Sequence, residues 1–170
     1  VRYMIERGGD FDRFAQTAVL DLPAGIDRTQ LVATLTAVTD RHDMLRSRLW
    51  QDGDGWHLRV AAPGSVEVDA LVHRTAFDTP VDPIELREYA QTELDAAMNR
   101  LDPATGVVTQ FVWLDPEPPS TAGRLIVVAH HLAIDSVSWR ILVQDLIAAW
   151  AQVAAGATPA ARVTSRIPRL

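Results

Sequence analysis

The sequence predicts an α/β protein of the α+β type, with a mixed central sheet and helices packed on it. Three observations carry this expectation. The run "RLIVVAHH" is apolar and rich in β-branched residues, as in a strand buried on both faces. The stretch "RTQLVATLTAVTDRHDML" repeats its apolar residues at helical spacing. "QDGDG" separates two short extended segments, so a hairpin interrupts any strict parallel βαβ alternation.

Taken in order, "RFAQTAVLDL" (13–22) interleaves apolar and polar residues as a strand, and "PAGID" turns the chain. Asp27 is placed to cap the following helix, with Gln30 completing a capping-box pattern. Leu31, Leu35, Val38 and His42 form its inward face. "LRSRLW" and "WHLRVA" make the hairpin, and "VEVDALVHR" (66–74) reads as extended. A second helix spans about 82–100 and turns Leu86, Tyr89, Ala90, Leu94, Ala97 and Met98 inward. "VVTQFVWL" (107–114) is a strand, "DPEPPSTAG" (115–123) a surface loop, and "RLIVVAHH" the next strand. The last helix starts near Ser136, capped by Ser136 or Ser138, and ends at Gly156.

With 170 residues, 48% of them hydrophobic, the chain can bury one substantial core. Its formal charge of −6 argues against a nucleic-acid footprint, which needs clustered cations. All sixteen basic residues are arginine, which fits GC-rich coding DNA. Cysteine is absent, so disulfides and thiolate metal sites are excluded. The opening "VRYMIERGGD" has no signal-peptide pattern, and no apolar run approaches the roughly 18 residues that span a membrane. The chain therefore reads as soluble and cytoplasmic, with no membrane or nucleic-acid partner.

The chemistry is expected where "RLIVVAHH" ends. Two adjacent histidines continuing one strand point to opposite faces. His131, Asp135 and a helix N-terminus converge on one region there. Such a cluster can hold a neutral imidazole, fix its tautomer and offer backbone N–H groups to developing negative charge. The plainer readings are a hydrogen-bonded structural histidine and an aspartate that only caps a helix. Divergent histidines, with no cysteine and no second His pair, argue against a metal, and no G-x-S-x-G elbow is present for a hydrolase. The five tryptophans, Trp50, Trp56, Trp113, Trp139 and Trp150, have the spacing of core or hairpin packing, and Trp139 alone lies near the cluster.

"HHLAIDSVSW" resembles the His-His-x-x-x-Asp-Gly signature of the condensation-domain superfamily of nonribosomal peptide synthetases, related to chloramphenicol acetyltransferase. "RHDMLRSRL" (41–49) resembles the family's Arg-His-x-x-Leu-Arg segment, and "LDPATGVVTQFVWL" the stretch that leads through a glycine to a strand. The matches follow in order over about residues 14–155. "HDMLR" and "VSWRILVQDL" look like the epimerisation members of the family.

This resemblance implies a chloramphenicol acetyltransferase-like lobe, residues 1–156, followed by a tail at 157–170 that leads towards a missing C-terminal lobe. "VRYMIERGG" would be the remnant of an opening helix. It implies that His131 is the catalytic histidine, that His130 supports the fold, and that Asp135 is structural and paired with an arginine, for which Arg46 is the candidate. Ser138 and Trp139 would line the site. So would Ser136, which stands where the family has glycine and would narrow the backbone conformations available there.

The implied function is epimerisation, L to D at Cα, of an aminoacyl or peptidyl thioester tethered to a carrier protein. The alternatives are a condensation domain joining donor thioester to acceptor amine, and a non-catalytic docking module, for which an altered motif such as Ser136 is the usual mark. No cofactor is expected to bind directly, because the substrate arrives on the 4′-phosphopantetheine of the peptidyl carrier protein. The other expected partners are the missing lobe and neighbouring synthetase domains. Without that lobe the fragment is expected to be inactive, with an apolar face that favours self-association.

Overall fold

The two apolar runs become the central strands of a four-stranded sheet. In the computed structural model, which describes residues 14–118, 121–157 and 159, β1 is Ala15–Leu22, β2 Ser47–Asp52, β3 Gly55–Val60, β4 Val72–Asp78, β5 Thr109–Glu117 and β6 Gly123–His130. Residues 1–9, where the opening helix was expected, and most of the 157–170 tail lie outside the described residues. The sheet order is β1-β6-β5-β4, with β4 parallel to β5 and the other neighbours antiparallel. The mixed sheet is therefore as expected, and β2–β3 form a separate antiparallel hairpin. At its tip the Asp54 N–H donates to the Asp52 carboxylate, and Gly55 takes a φ of +119° that a side chain would resist.

Among the described residues three helices cover the sheet: α1 is Arg28–Arg41, α2 Pro83–Asn99 and α3 Ser138–Ala154. Asp27 caps α1 by accepting from the Gln30 N–H at 2.8 Å, and Asp82 caps α2 from the Ile84 N–H. Helices α1 and α3 bury Leu31, Leu35, Val38, Leu142, Leu146 and Ala149 with Phe111, Leu125 and Val127 on one face. Fully burying a leucine such as Leu31 or Leu35 contributes about 1.5–3 kcal/mol relative to exposure. On the opposite face α2 packs Ala97 with Val112, Leu114, Ile126 and Val128, so the architecture has three layers.

The structure corrects several boundaries. Tyr89, expected inward, is 44% exposed, because the stripe of Leu86, Ala90, Leu94 and Ala97 leaves it on the helix flank. The segment 66–74 contains a 3-10 turn, Val68–Leu71, before β4 begins. Residues 115–117, expected in a loop, extend β5, because Arg74 on β4 donates to Asp115 at 2.6 Å and to Glu117 at 3.3 Å. Helix α1 stops at Arg41, so His42 ends it and meets Asp145 of α3 at 2.8 Å, where Arg41 also arrives at 3.0 Å.

Gly123, at the start of β6, has no room for a side chain. A Cβ there would lie 2.8 Å from the Leu114 carbonyl oxygen and 3.3 Å from Pro116. Gly123→Ala is expected to destabilise the sheet by about 1–3 kcal/mol, the usual cost of overpacking against backbone, measured as the urea midpoint at unchanged m-value.

Candidate active site

Strand β6 ends at His130, but the ladder with β1 runs one residue further, because the His131 N–H donates to the Phe14 carbonyl at 2.8 Å. The two imidazoles therefore leave on opposite faces. His130 is 3% exposed, and its Nδ1 accepts from the Leu132 N–H at 3.0 Å. His131 is half-buried on the face of α1 and α3, with its Nδ1 2.7 Å from the Ile134 carbonyl oxygen. A carbonyl can only accept, so Nδ1 carries the proton and the neutral ring keeps its lone pair on Nε2. Phe14 stacks on that ring with centroids 4.7 Å apart.

Opposite Nε2 stands Gln16 of β1, whose Nε2 is 3.4 Å away, while the Trp139 indole donates to Gln16 Oε1 at 2.9 Å. Trp139, expected as a lining residue, is thus tied to His131 through a side chain that motif matching overlooked. A signal for Gln16 was present: on the inward positions 16, 18, 20 and 22 of β1, Gln16 is the polar exception among Ala18, Leu20 and Leu22.

Asp135 and Arg46 do not pair, which corrects the expected ion pair. Asp135 is exposed and caps α3: its Oδ1 accepts from the Val137 N–H at 3.1 Å, the Ser138 N–H at 2.7 Å and the Ser138 hydroxyl at 2.6 Å. The capping role expected of Ser136 or Ser138 thus falls to Asp135, and the helix begins two residues later than expected, at Ser138. Arg46 is 4% exposed and turns back under α1, donating to the carbonyls of Thr39, Asp40 and Ala61 and to Asp43 Oδ1. The 3-10 turn Asp43–Arg46, directly after α1, brings the guanidinium to carbonyls that the helix leaves without partners. The two motif segments still adjoin, through an apolar cluster of Leu49, Val108 and Leu132 with Met44 and Ala133 packed on it.

Ser136 is exposed, and no described non-glycine residue has positive φ, so the loop folds here without the left-handed conformation that only glycine adopts freely. Among the described residues no group of three or more His, Cys, Asp or Glu could hold a metal ion, and no helix is long and apolar enough to cross a membrane.

The Ser138 hydroxyl and N–H, with the Val137 N–H and the charge of His131, hold the Asp135 carboxyl below its ordinary value against the opposing effect of desolvation. A depressed folded value means a contribution present above the ordinary carboxylate pKa of about 3.9 and lost as pH falls through the folded one. Asp135→Ala is therefore expected to lower Tm modestly at pH 7. The gap from wild type should narrow as pH falls through that depressed value, and a gap that stays constant across the acid range would contradict a contribution from the charged carboxylate.

A condensation-domain family model matches residues 9–165 of the 170. The chain belongs to the condensation-domain family. This condensation-type domain is 33% identical over 147 residues to one of the linear gramicidin synthase proteins of Brevibacillus parabrevis, a match that covers 85% of this chain and 3% of that synthase. Its structure resembles the epimerization domain from the third module of tyrocidine synthetase B, with a TM-score of 0.75 at 20% identity over 94% of this chain and 34% of that one. It also resembles the starter condensation domain of rhizomide synthetase, with a TM-score of 0.68 at 18% identity over 96% of this chain and 39% of that one. At these identities the likeness establishes the fold, the chloramphenicol acetyltransferase-like architecture expected from the sequence. The chain spans about a third of those solved chains.

Proposed function

We propose that this condensation-type domain belongs to an epimerisation domain of a nonribosomal peptide synthetase, in which His131 moves the α-proton of a carrier-tethered aminoacyl or peptidyl thioester. The observation that carries this reading is the His131 ring itself. With Nδ1–H committed to Ile134, Nε2 is the lone pair available to a substrate. In the reaction Nε2 takes the Cα proton, the Cα–H electrons become the enolate of the thioester, and a proton returned to the other face gives the opposite configuration. A positively charged imidazole beside the enolate stabilises it.

Trp139 favours epimerisation over condensation. It belongs to the "VSWR" stretch by which the sequence resembles epimerisation members, and it is hydrogen-bonded into the network around the base. The substrate would arrive on the 4′-phosphopantetheine arm of a peptidyl carrier protein, and tethering supplies the effective concentration that brief contacts with the site do not. His130 would hold the strand end, while Arg46, Asp135 and Ser138 would hold the two helix ends that frame the site. A second lobe would cover this side of the site and supply a group that returns the proton to the other face. Val137, just before α3, and Ile141 and Ile147 on it are exposed apolar residues that such a lobe would cover.

The test is solvent exchange with the intact natural domain and a carrier protein loaded with an L-aminoacyl thioester in deuterated water. Deuterium at Cα and appearance of the D form support epimerisation. A new amide with an acceptor-loaded carrier, and no exchange, moves the assignment to condensation. Carrier binding with neither product leaves a docking module.

A further inference from the structure

We infer that Gln16 is a positioning residue that keeps His131 in its neutral, proton-accepting form by presenting a donor to Nε2. This rests on His131 being the base. The orientation of the Gln16 amide is fixed by what surrounds it. An indole N–H can only donate, so the end of the amide 2.9 Å from Trp139 Nε1 is the carbonyl oxygen. The NH2 end must then face His131, 3.4 Å from Nε2. On the other side of the ring the Ile134 carbonyl demands a proton on Nδ1, which leaves Nε2 as the acceptor that the amide donor needs. Four groups on β1, the His131 loop and α3 thus have one mutually consistent assignment of donors and acceptors.

The arrangement treats the two protonation states of His131 differently. In the neutral ring, donor faces lone pair. Once Nε2 has taken a proton, donor faces donor, and the amide cannot turn its oxygen to the ring without stripping Trp139 of its acceptor. The donor arrangement therefore matches the ring with a lone pair on Nε2 better than would a site with an acceptor at residue 16. The long 3.4 Å contact also lets a substrate Cα–H displace the amide without breaking a short hydrogen bond. Of the ionisable groups around His131, Asp135 at the start of α3 is electrostatically coupled to it, His130 is its neighbour on the opposite face, and Arg140 is exposed one residue beyond Trp139. All three are unchanged in the variants below.

The test combines nuclear magnetic resonance of histidine labelled with 13C and 15N, which reads the His131 tautomer and midpoint, with the pH profile of Cα exchange in the intact domain. Gln16→Glu replaces the donor by a carboxylate. It is expected to raise the His131 midpoint by at least about one unit, a tenfold change in the protonation equilibrium, and to move the acid limb of the exchange profile upward with it. Gln16→Met removes the donor, and Trp139→Phe frees the amide to turn. Both are expected to raise the midpoint by less, and they decide the matter if the glutamate variant does not fold. A midpoint and acid limb unmoved in folded variants would overturn the inference, as would a wild-type ring protonated on Nε2. If the wild-type domain shows no Cα exchange, the epimerisation reading fails, while the resonance measurement still decides what Gln16 does to His131.

Discussion

His131→Ala in the intact domain is expected to lower the rate of Cα proton exchange by about 10²–10⁴-fold, the range over which a positioned general base contributes. The argument is geometric. His131 is held by the Ile134 carbonyl at Nδ1, by the Phe14 ring against its face and by its own backbone N–H on β1, so the lone pair on Nε2 is fixed in direction. Removing the imidazole removes the acceptor for the proton and leaves the fold in place, because the strand's backbone pairing does not depend on this side chain. The expected signature is a loss in kcat with the affinity for loaded carrier protein little changed. His130→Ala is expected to act in the other direction. Its imidazole is buried and accepts the Leu132 N–H, so that variant should lose stability first. Full exchange by a folded His131→Ala domain would remove the histidine from the chemistry.

The second large effect is on stability. Arg46→Ala is expected to cost about 2–4 kcal/mol, because it strands buried acceptors at the end of α1 whose partner was a charged donor. The guanidinium serves the Thr39, Asp40 and Ala61 carbonyls and Asp43 at once, with its side chain 3% exposed against 77% for Asp43. The exposed Asp43 contact adds little, so the loss lies in the buried carbonyls. For a chain of this length such a loss lowers Tm by roughly 4–16 °C. Lysine, a point charge without a planar fork, is expected to restore only part of it. A double-mutant cycle with Asp135→Ala gives an independent check. Because Arg46 and Asp135 have separate partners, their effects should add, and a substantial coupling energy would reinstate the ion pair that the family resemblance implies.

How much was legible in advance depended on how local the determinant was. The Asp27 cap, the Asp-Gly hairpin and the buried character of "RLIVVAHH" rest on residues within a few positions of one another, and each formed as expected. The length of β5 was not legible. Asp115 and Glu117 have the composition of a loop and become strand because Arg74, some forty residues earlier, reaches them once β4 lies parallel to β5. Tyr89 has helical spacing compatible with either side of the stripe, and the position of the sheet under α2 decided against it.

For the site, the sequence by itself determined that two histidines end a buried strand, that an aspartate precedes a helix, and which family carries that pattern. Spacing of two along a strand and the preferences of a helix N-terminus are properties of contiguous chain, so they survive without knowledge of the fold. The tertiary structure alone decided that Asp135 serves the helix rather than Arg46, and that Arg46 serves α1. It alone brought Gln16 and Trp139, 123 residues apart, onto one hydrogen bond beside His131. The physical reason is that a side chain's hydrogen-bond partner is chosen by three-dimensional reach and by the cost of leaving other buried groups unpaired. Neither quantity exists until β1 has docked on β6 and α3 has closed over them.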